Sequence, residues 1–138
     1  MNDYEELTRL IVEFYEKLSS WEHAVVRGKG VSLSQIHILE LLGAHEALRM
    51  KELSEKVGVT TGTLTVVVDK LVKKGLVCRE ADENDRRSVI VKLTEDGIDL
   101  YREHDRLHLD LTREITSAFN PDELTQLQSF LERMTKRF

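Results

Sequence analysis

The chain has 138 residues, 41% of them hydrophobic and 33% charged, and a formal net charge of −5 at pH 7. This length suits one domain with a substantial core, and without a signal-peptide pattern or an apolar run near the ~20 residues that span a bilayer, no membrane partner is expected. The single cysteine excludes an internal disulfide framework, so the expectation is a soluble protein of the reducing cytoplasm.

The segment from Asp3 to about Val26 is predicted to form one long helix. Its apolar residues recur at alternating four- and three-residue steps, which give a continuous seam along one side of a helix. Gly28 and Gly30 end this pattern. The seam comprises Leu7, Ile11, Phe14, Leu18, Trp21 and Val25.

A second helix is predicted to begin after Ser32. Ser32 and Gln35 fit a capping box, in which each side chain accepts a hydrogen bond from the backbone N–H of the other residue. A short strand over Leu48–Met50 is expected to follow and to pair with a hairpin further along the chain. The buried face of this second helix comprises Ile36, Leu39 and Leu42.

A short helix, a tight turn and a longer helix are predicted after Met50. Leu53 and Val57 give the short helix one apolar stripe. Gly58 can adopt the left-handed conformation that ends a helix, and Thr60 is a good N-cap for the helix that follows. The inward face of the longer helix comprises Leu64, Val67, Val68 and Leu71.

The outer side of the longer helix is predicted to enter the major groove of double-stranded DNA. Its first turns expose small polar and methyl-bearing side chains, which suit contact with base edges. Lys73 and Lys74 extend its basic end and would lie near phosphates. The candidate DNA-contacting residues on this helix are Thr61, Gly62, Thr63, Thr65, Val66 and Lys70.

Two strands, Leu76–Glu80 and Ser88–Leu93, are predicted to form a hairpin wing. The predicted tip between them ends in Arg86 and Arg87, and arginine suits a narrow minor groove because its planar cation meets concentrated negative potential there. Asp85 is placed to accept hydrogen bonds from Arg87 and to hold it extended. The alternative interpretation is an ordinary solvated turn with a surface ion pair.

The charge distribution is compatible with DNA binding despite the acidic total. The stretch from Lys70 to Lys92 has a net charge of +3, so the remainder of the chain has −8. A local basic face on an acidic body can bind DNA, although its long-range attraction for the duplex is weaker.

Two further helices are predicted after the wing. Thr94 caps the first of them, with Glu95 and Asp96 in its first turn, and Asn120–Glu123 provides a cap, a proline and two acids for the second. Each has an apolar seam. Together with the seam of the first helix, these give more apolar surface than the core of one small domain can bury. The terminal helices are therefore expected to interlock across a two-fold axis, the alternative being that they cover the core of their own subunit. The seams are Leu100, His104, Leu107, Leu111 and Ile115, and Leu124, Leu127, Leu131, Met134 and Phe138.

Over essentially its whole length the chain resembles the MarR family of winged-helix transcriptional regulators. The resemblance implies a mainly α fold with a small β wing (α+β), in which residues 31–97 form a winged helix-turn-helix and residues 1–30 and 98–138 form an intertwined dimerisation domain. It also implies a homodimer that binds an inverted-repeat operator, usually as a repressor. The motifs that resemble the family are Lys51–Ser54, Val68–Leu71, Lys74–Val77, Asp85–Arg87 and Val91–Thr94.

Two positions of this resemblance bear on DNA recognition. In the family, the wing arginine aligned with Arg87 reaches the minor groove, and the aspartate aligned with Asp85 pairs with it. Many members have a base-reading arginine on the recognition helix where this chain has Val66. Base readout is therefore expected to rest on threonine and valine methyl contacts and on the wing.

A metal site is a further prediction. His104 and His108 are four residues apart, so both rings project from one face of a helix and can chelate zinc. Glu22, near the end of the first helix, and His37, between two isoleucines where a charged ring would be poorly placed, are the other candidates. The alternative is a pair of structural histidines at the edge of a packed stripe.

This set of residues resembles the metal ligands of the zinc-sensing branch of the MarR family. That branch uses a glutamate of the first helix, a histidine of the second and an HxxxH pair of the fifth, which match Glu22, His37, His104 and His108 in order. Its second metal site includes a loop cysteine that this chain lacks, which leaves Glu103 as the one plausible remnant. The resemblance implies that zinc acts as a corepressor by favouring the DNA-binding geometry.

Two other effectors are compatible with the sequence. A small aromatic or phenolic ligand would release the repressor from a crevice between the dimerisation helices and the wing domain, lined by Phe14, Tyr15, Trp21 and the histidines. Oxidant sensing through Cys78 is disfavoured because this residue falls on the first wing strand, whereas the thiol sensors of the family use the N-terminal helix.

An enzyme is not expected. A zinc hydrolase of the HExxH type needs a glutamate directly after the first histidine, and Asp105 occupies that position. A winged helix that binds only proteins is the more plausible alternative, but it leaves Arg86 and Arg87 without a role.

Overall fold

The computed structural model describes residues 2–138, which form six helices and a three-stranded antiparallel sheet of order β1-β3-β2. The predicted fold class, mainly helical with a small β wing, is confirmed. The elements are α1 (Asp3–Val26), α2 (Leu33–His45), β1 (Ala47–Arg49), α3 (Met50–Val57), α4 (Thr61–Lys73), β2 (Val77–Asp82), β3 (Asp85–Leu93), α5 (Glu95–Ile115) and α6 (Pro121–Thr135).

Local capping interactions set several of these boundaries. The Ser32 hydroxyl accepts from the Gln35 amide at 3.2 Å while the Gln35 side chain accepts from the Ser32 amide at 3.1 Å, as predicted. Asn120 and Glu123 form the same reciprocal pair at the start of α6. A third capping box at the start of α1 uses Asn2, which the sequence analysis did not identify.

The turn between α3 and α4 has the predicted chemistry. Gly58 has a φ of 80°, and its amide donates to the Ser54 carbonyl at 2.9 Å. This left-handed conformation ends α3 at little cost because glycine has no Cβ. The Thr60 hydroxyl then accepts from the Thr63 amide at 3.2 Å and starts α4.

The strand bounds differ from the prediction by one to three residues, except that β3 ends at Leu93 as predicted. The first strand is Ala47–Arg49 rather than Leu48–Met50, because Met50 begins α3. Leu48 pairs with Val91 and Val77 pairs with Leu93, so the apolar face of the sheet is in register. The hairpin strands are longer than predicted and leave only residues 83–84 between them.

The junction between the wing and α5 is tightly packed. The Thr94 hydroxyl donates to the Gly75 carbonyl at 2.6 Å and accepts from the Gly97 amide at 3.1 Å, which caps α5 as predicted. A Cβ on Gly97 would collide with the Leu76 carbonyl oxygen. Glycine is therefore required where the helix begins.

The chain divides into two compact units, one ending at Tyr101 and the other comprising Arg102–Phe138. The described hydrophobic core belongs to the first unit and includes the inward face of α4, apart from Val67, which is partly buried. No helix within residues 2–138 is long and apolar enough to cross a membrane. The core residues are Val26, Ile36, Ile38, Leu39, Leu42, Leu48, Leu53, Leu64, Val68, Leu71, Val77 and Val91.

Large apolar side chains are exposed in both units. Within the first unit they follow the N-terminal half of α1, where Leu7, Ile11 and Phe14 are about half exposed. Within the second unit, α6 buries none of its residues, and Phe130 and Leu131 are likewise exposed. The predicted assignment of residues 1–30 and 98–138 to dimerisation and of residues 31–97 to DNA binding stays a prediction.

Candidate nucleic-acid interface

Helix α4 presents one face to the core and the other to solvent. Leu64, Val68 and Leu71 are fully buried, and this fixes the rotation of the helix about its axis. Val66 is 55% exposed, an unusual position for a β-branched apolar residue on a surface helix. All six candidate DNA-contacting residues of this helix lie on the exposed side: Thr61, Gly62, Thr63, Thr65, Val66 and Lys70.

The threonines at the start of α4 are partly engaged with their own helix. The Thr65 hydroxyl donates to the Thr61 carbonyl at 2.7 Å, and the Thr60 hydroxyl donates to that of Thr63 at 3.1 Å. These bonds use hydroxyl hydrogens and leave methyl groups and oxygen lone pairs for other contacts. The first turns of this face therefore offer apolar contacts and acceptors, and charge enters only further along, at Lys70.

The wing contains a bulge that the sequence analysis did not predict. Ala81 pairs with Val89 and the next residue, Asp82, pairs with Asp85, so Arg86, Arg87 and Ser88 lie between two paired positions of β3. Extra residues on one strand of a pair force its backbone out of the ladder of hydrogen bonds between the strands. The two arginines were expected on a loop at the tip, and the structure places them in this bulge within β3 instead.

Asp85 shapes the bulge through its backbone. Its carboxylate accepts from the Arg87 amide at 3.0 Å and from the Ser88 hydroxyl at 3.0 Å, whereas the sequence analysis expected the Arg87 guanidinium as donor. The hydrogen bond from the Arg87 amide, and to a smaller extent that from the Ser88 hydroxyl, holds the pKa of the Asp85 carboxyl below its ordinary value. Both arginine side chains are exposed, and within residues 2–138 neither forms an ion pair.

Lys74 has acceptors within the protein that its position in the sequence does not predict. Its ammonium donates to the Gly30 carbonyl at 2.6 Å and to the Gln35 side chain at 2.7 Å, so it fastens the end of α4 to the loop before α2. The prediction that Lys74 lies near a phosphate stays a prediction, since its ammonium is engaged within the protein while the residue remains exposed. Lys70 and Lys73 remain exposed at the end of α4.

Three ion pairs hold the wing in place. Arg79 pairs with Asp69 of α4 at 2.5 Å, Lys92 pairs with Glu80 across the hairpin at 2.7 Å, and Arg49 pairs with Asp82 at 2.8 Å. No sequence signal identifies the last pair, because its members are 33 residues apart and neither belongs to a recognisable motif.

The predicted metal ligands lie in both units. In the C-terminal unit the Nε2 atoms of His104 and His108 are 3.2 Å apart, and the rings meet edge to face with centroids 4.8 Å apart. In the N-terminal unit Glu22 is half-buried on α1. His37 is exposed on α2, so the expectation that its ring sits among apolar side chains is wrong.

The alternative effector sites find less support. Phe14 and Tyr15 are exposed on α1. An open depression of about 730 Å³ lies at the loop between α1 and α2, lined by His23, Arg27 and Lys74 among others rather than by those aromatic residues. Cys78 is half-buried on β2.

An exposed second helix of a helix-turn-helix, followed by a hairpin bearing two exposed arginines, defines a winged helix-turn-helix protein. A model of the MarR family matches residues 31–89, which include the helix-turn-helix and most of the wing. The HTH-type transcriptional regulator YcgE of Bacillus subtilis (strain 168) is 33% identical over 138 residues, covering 94% of this chain and 87% of that protein.

Two solved structures with DNA are similar to nearly the whole chain. Streptococcus pneumoniae FabT in complex with DNA has a TM-score of 0.88 at 25% identity, covering 97% of this chain and 96% of the other. A mutant MarR of Escherichia coli complexed with operator DNA has a TM-score of 0.73 at 28% identity, covering 97% and 99%. The chain belongs to the MarR family and is a DNA-binding transcriptional regulator rather than an enzyme.

Proposed function

We propose that this regulator is a cytoplasmic homodimeric repressor of an inverted-repeat operator. In this proposal the exposed side of α4 enters the major groove and the bulge of β3 inserts Arg86 and Arg87 into the adjacent minor groove. The observation that supports it most directly is the bulge itself, because it exposes two arginines that form no ion pair with any residue of 2–138.

The minor-groove role follows from the chemistry of the bulge. A guanidinium is weakly hydrated and planar, so it enters a narrow groove at smaller desolvation cost than an ammonium. The backbone of Arg87 is fixed by Asp85, so less conformational entropy is lost on binding. The base-reading role of α4 rests on Val66, Thr61 and Thr65, whose methyl groups suit the methyl of thymine.

The exposed apolar residues support a homodimer. Helices α1 and α6 each leave a row of large apolar side chains about half exposed, and contiguous apolar patches of this kind mark interaction surfaces. A second copy of the chain would cover both sets, as expected for an isologous interface. A dimer would also present two wings and two recognition helices, which matches an inverted repeat.

The test begins with a duplex selected by the wild-type protein from a random-sequence library. The Arg86→Ala/Arg87→Ala variant is expected to lose about a hundredfold in affinity for it, since each contact of this kind is worth about 1–3 kcal/mol. Arg106→Ala/Arg113→Ala on α5 removes the same charge and serves as the control. Failure of the selection to enrich an inverted repeat, or equal losses in the two variants, would overturn the proposal.

Zinc is proposed as the corepressor on the strength of the histidine pair. Two nitrogen ligands of a tetrahedral zinc at about 2.05 Å lie about 3.3 Å from each other, and the Nε2 atoms of His104 and His108 are 3.2 Å apart. The separation of the pair therefore matches that of two ligand positions. Glu22 and His37 stay predicted ligands, and His37 would come from an exposed position. Bound zinc would supply a cross-link that favours one arrangement of the elements it joins.

The matching experiment compares zinc titrations of the wild type, His108→Gln and His45→Gln, the last being an exposed histidine on α2. Zinc is expected to raise both the melting temperature and the affinity for the selected duplex in the wild type and in His45→Gln, but not in His108→Gln. No response in the wild type would show that the two rings do not bind zinc. It would leave a small aromatic ligand as the effector to be tested next.

A further inference from the structure

An ion pair closes the base of the wing bulge. Arg49 is the last residue of β1, and its guanidinium donates through Nε and Nη2 to one oxygen of Asp82, at 2.9 and 2.8 Å. Strand β3 lies between β1 and β2, so the pair reaches from one outer strand to the other across the central strand.

The pair crosses β3 at the point where that strand leaves the ladder. Arg49 is aligned with Ile90, the second residue after the bulge, and Asp82 is aligned with Asp85, directly before it. The two ends of the Arg86–Ser88 excursion are thus tied to opposite partners of one ion pair. Asp82 is only 12% exposed, which limits the solvent screening of the contact.

Each atom of the Asp82 carboxylate has a separate task. One oxygen receives Arg49, and the other accepts from the Asn84 amide at 3.0 Å, which closes the connection between β2 and β3. Arg49 also contributes to the low pKa of Asp85, so its charge acts on both carboxylates that flank the bulge. It further begins α3, since its amide donates to the Glu52 side chain at 3.1 Å.

We propose that Arg49 is a positioning residue for DNA recognition, which holds the Arg86–Arg87 bulge at a fixed place relative to the helix-turn-helix through its ion pair with Asp82. The inference rests on the proposed role of the bulge in the minor groove. Arg49 itself touches no base in this account. Loss of the ion pair would widen the range of positions that the bulge adopts in the free protein. Binding to DNA would then have to order the bulge, and the entropy lost in doing so would lower the affinity.

Asp82→Asn provides a test because a positioning role and simple electrostatics predict opposite changes in affinity for the duplex. Asparagine keeps an oxygen for the Asn84 amide but loses the charge that holds Arg49. Removal of a negative charge near DNA should tighten binding if only net charge matters. The positioning role predicts weaker binding to the selected duplex instead, by about tenfold, which is about one arginine contact.

The full experiment measures affinity and melting temperature for Arg49→Gln, Asp82→Asn and the double variant. Each single variant is expected to lose about tenfold, and the double variant little more than either, because both remove the same pair. Lys92→Gln and Glu80→Gln, which break the neighbouring exposed pair, are the matched controls. Melting temperatures close to that of the wild type would show that the fold is intact.

Two results would overturn the proposal: affinity of Asp82→Asn equal to or tighter than that of the wild type, or additive losses in the double variant. Arg86→Ala/Arg87→Ala is measured in the same assay. If that variant binds normally, the minor-groove role has failed; if it binds weakly while Asp82→Asn binds normally, only the role of Arg49 has failed.

Discussion

The exposed side of α4 and the bulge of β3 are the two surfaces proposed to contact DNA, yet they are built differently. The first turns of the helix face consist of threonines, a glycine and Val66, with Lys70 further along, and the hydroxyl hydrogens are partly used within the helix. The bulge presents two arginines on a backbone fixed by Asp85. The first can distinguish bases by shape and methyl groups, and the second supplies charge. Sequence preference and electrostatic affinity are therefore divided between two elements.

The largest expected effect separates the two sides of α4. Leu64→Ala removes a fully buried side chain and is expected to lower the free energy of unfolding by about 3 kcal/mol, through lost transfer free energy and a cavity. Val66→Ala, two residues on, is expected to change it by less than about 0.5 kcal/mol but to weaken discrimination of thymine. Urea unfolding together with competition by altered duplexes measures both. A large stability loss in Val66→Ala would contradict the assignment of its side.

The next effect concerns the backbone of the bulge. Asp85→Ala removes the acceptor for the Arg87 amide and the Ser88 hydroxyl, so the bulge is expected to lose its fixed shape and affinity to fall about tenfold. Glu83→Ala removes the same charge from the connection between the strands and should leave affinity nearly unchanged. The account fails here if both variants bind the selected duplex equally well.

A change outside both regions should affect stability alone. Glu46, between α2 and β1, is the one described non-glycine residue with a positive φ, 63°. Glu46→Gly is expected to raise the free energy of unfolding by up to about 1 kcal/mol, because glycine accepts that conformation without steric strain. Glu46→Ala provides the comparison. Affinity for DNA should stay the same, and destabilisation by glycine would contradict the strain.

The smallest effect is one of pH. Because the pKa of Asp85 is lower in the folded protein, its contribution is fully present above the unfolded value of about 3.9 and is lost as the pH falls through the lower folded value. The wing should therefore keep its arrangement between about pH 8 and pH 5. A carboxyl-detected NMR titration measures this pKa directly, and a midpoint above the ordinary value would show that the two hydrogen bonds are absent.

Local signals in the sequence predicted the helices and strands well. The features that could not be predicted depend on contacts between residues that are distant in the sequence. Gly58, Thr60 and the capping box of Ser32 act within four residues, so their patterns are readable from the sequence. The bulge depends on the register of two strands, which alternation alone does not determine. Lys74 found acceptors 39 and 44 residues away, and such partners have no local signature.

The same distinction between local signals and distant contacts applies to the residues of the candidate site. The exposed side of α4 follows from the spacing of Leu64, Val68 and Leu71, so its six residues could be predicted from the sequence. The exposure of His37 could not, since it lies between two buried isoleucines and only the rotation of α2 decides its side. Arg49 was missed because its role arises from the sheet order rather than from its neighbours in sequence.

The most direct measurement uses base analogues that alter one groove at a time. Replacing adenine by 2,6-diaminopurine adds an amino group in the minor groove and leaves the major-groove edge unchanged. At operator positions facing the wing this replacement is expected to weaken binding of the wild type but not of Arg86→Ala/Arg87→Ala, and at positions facing α4 it should have no effect. Unchanged wild-type affinity at the wing positions would contradict the placement of the two arginines in the minor groove.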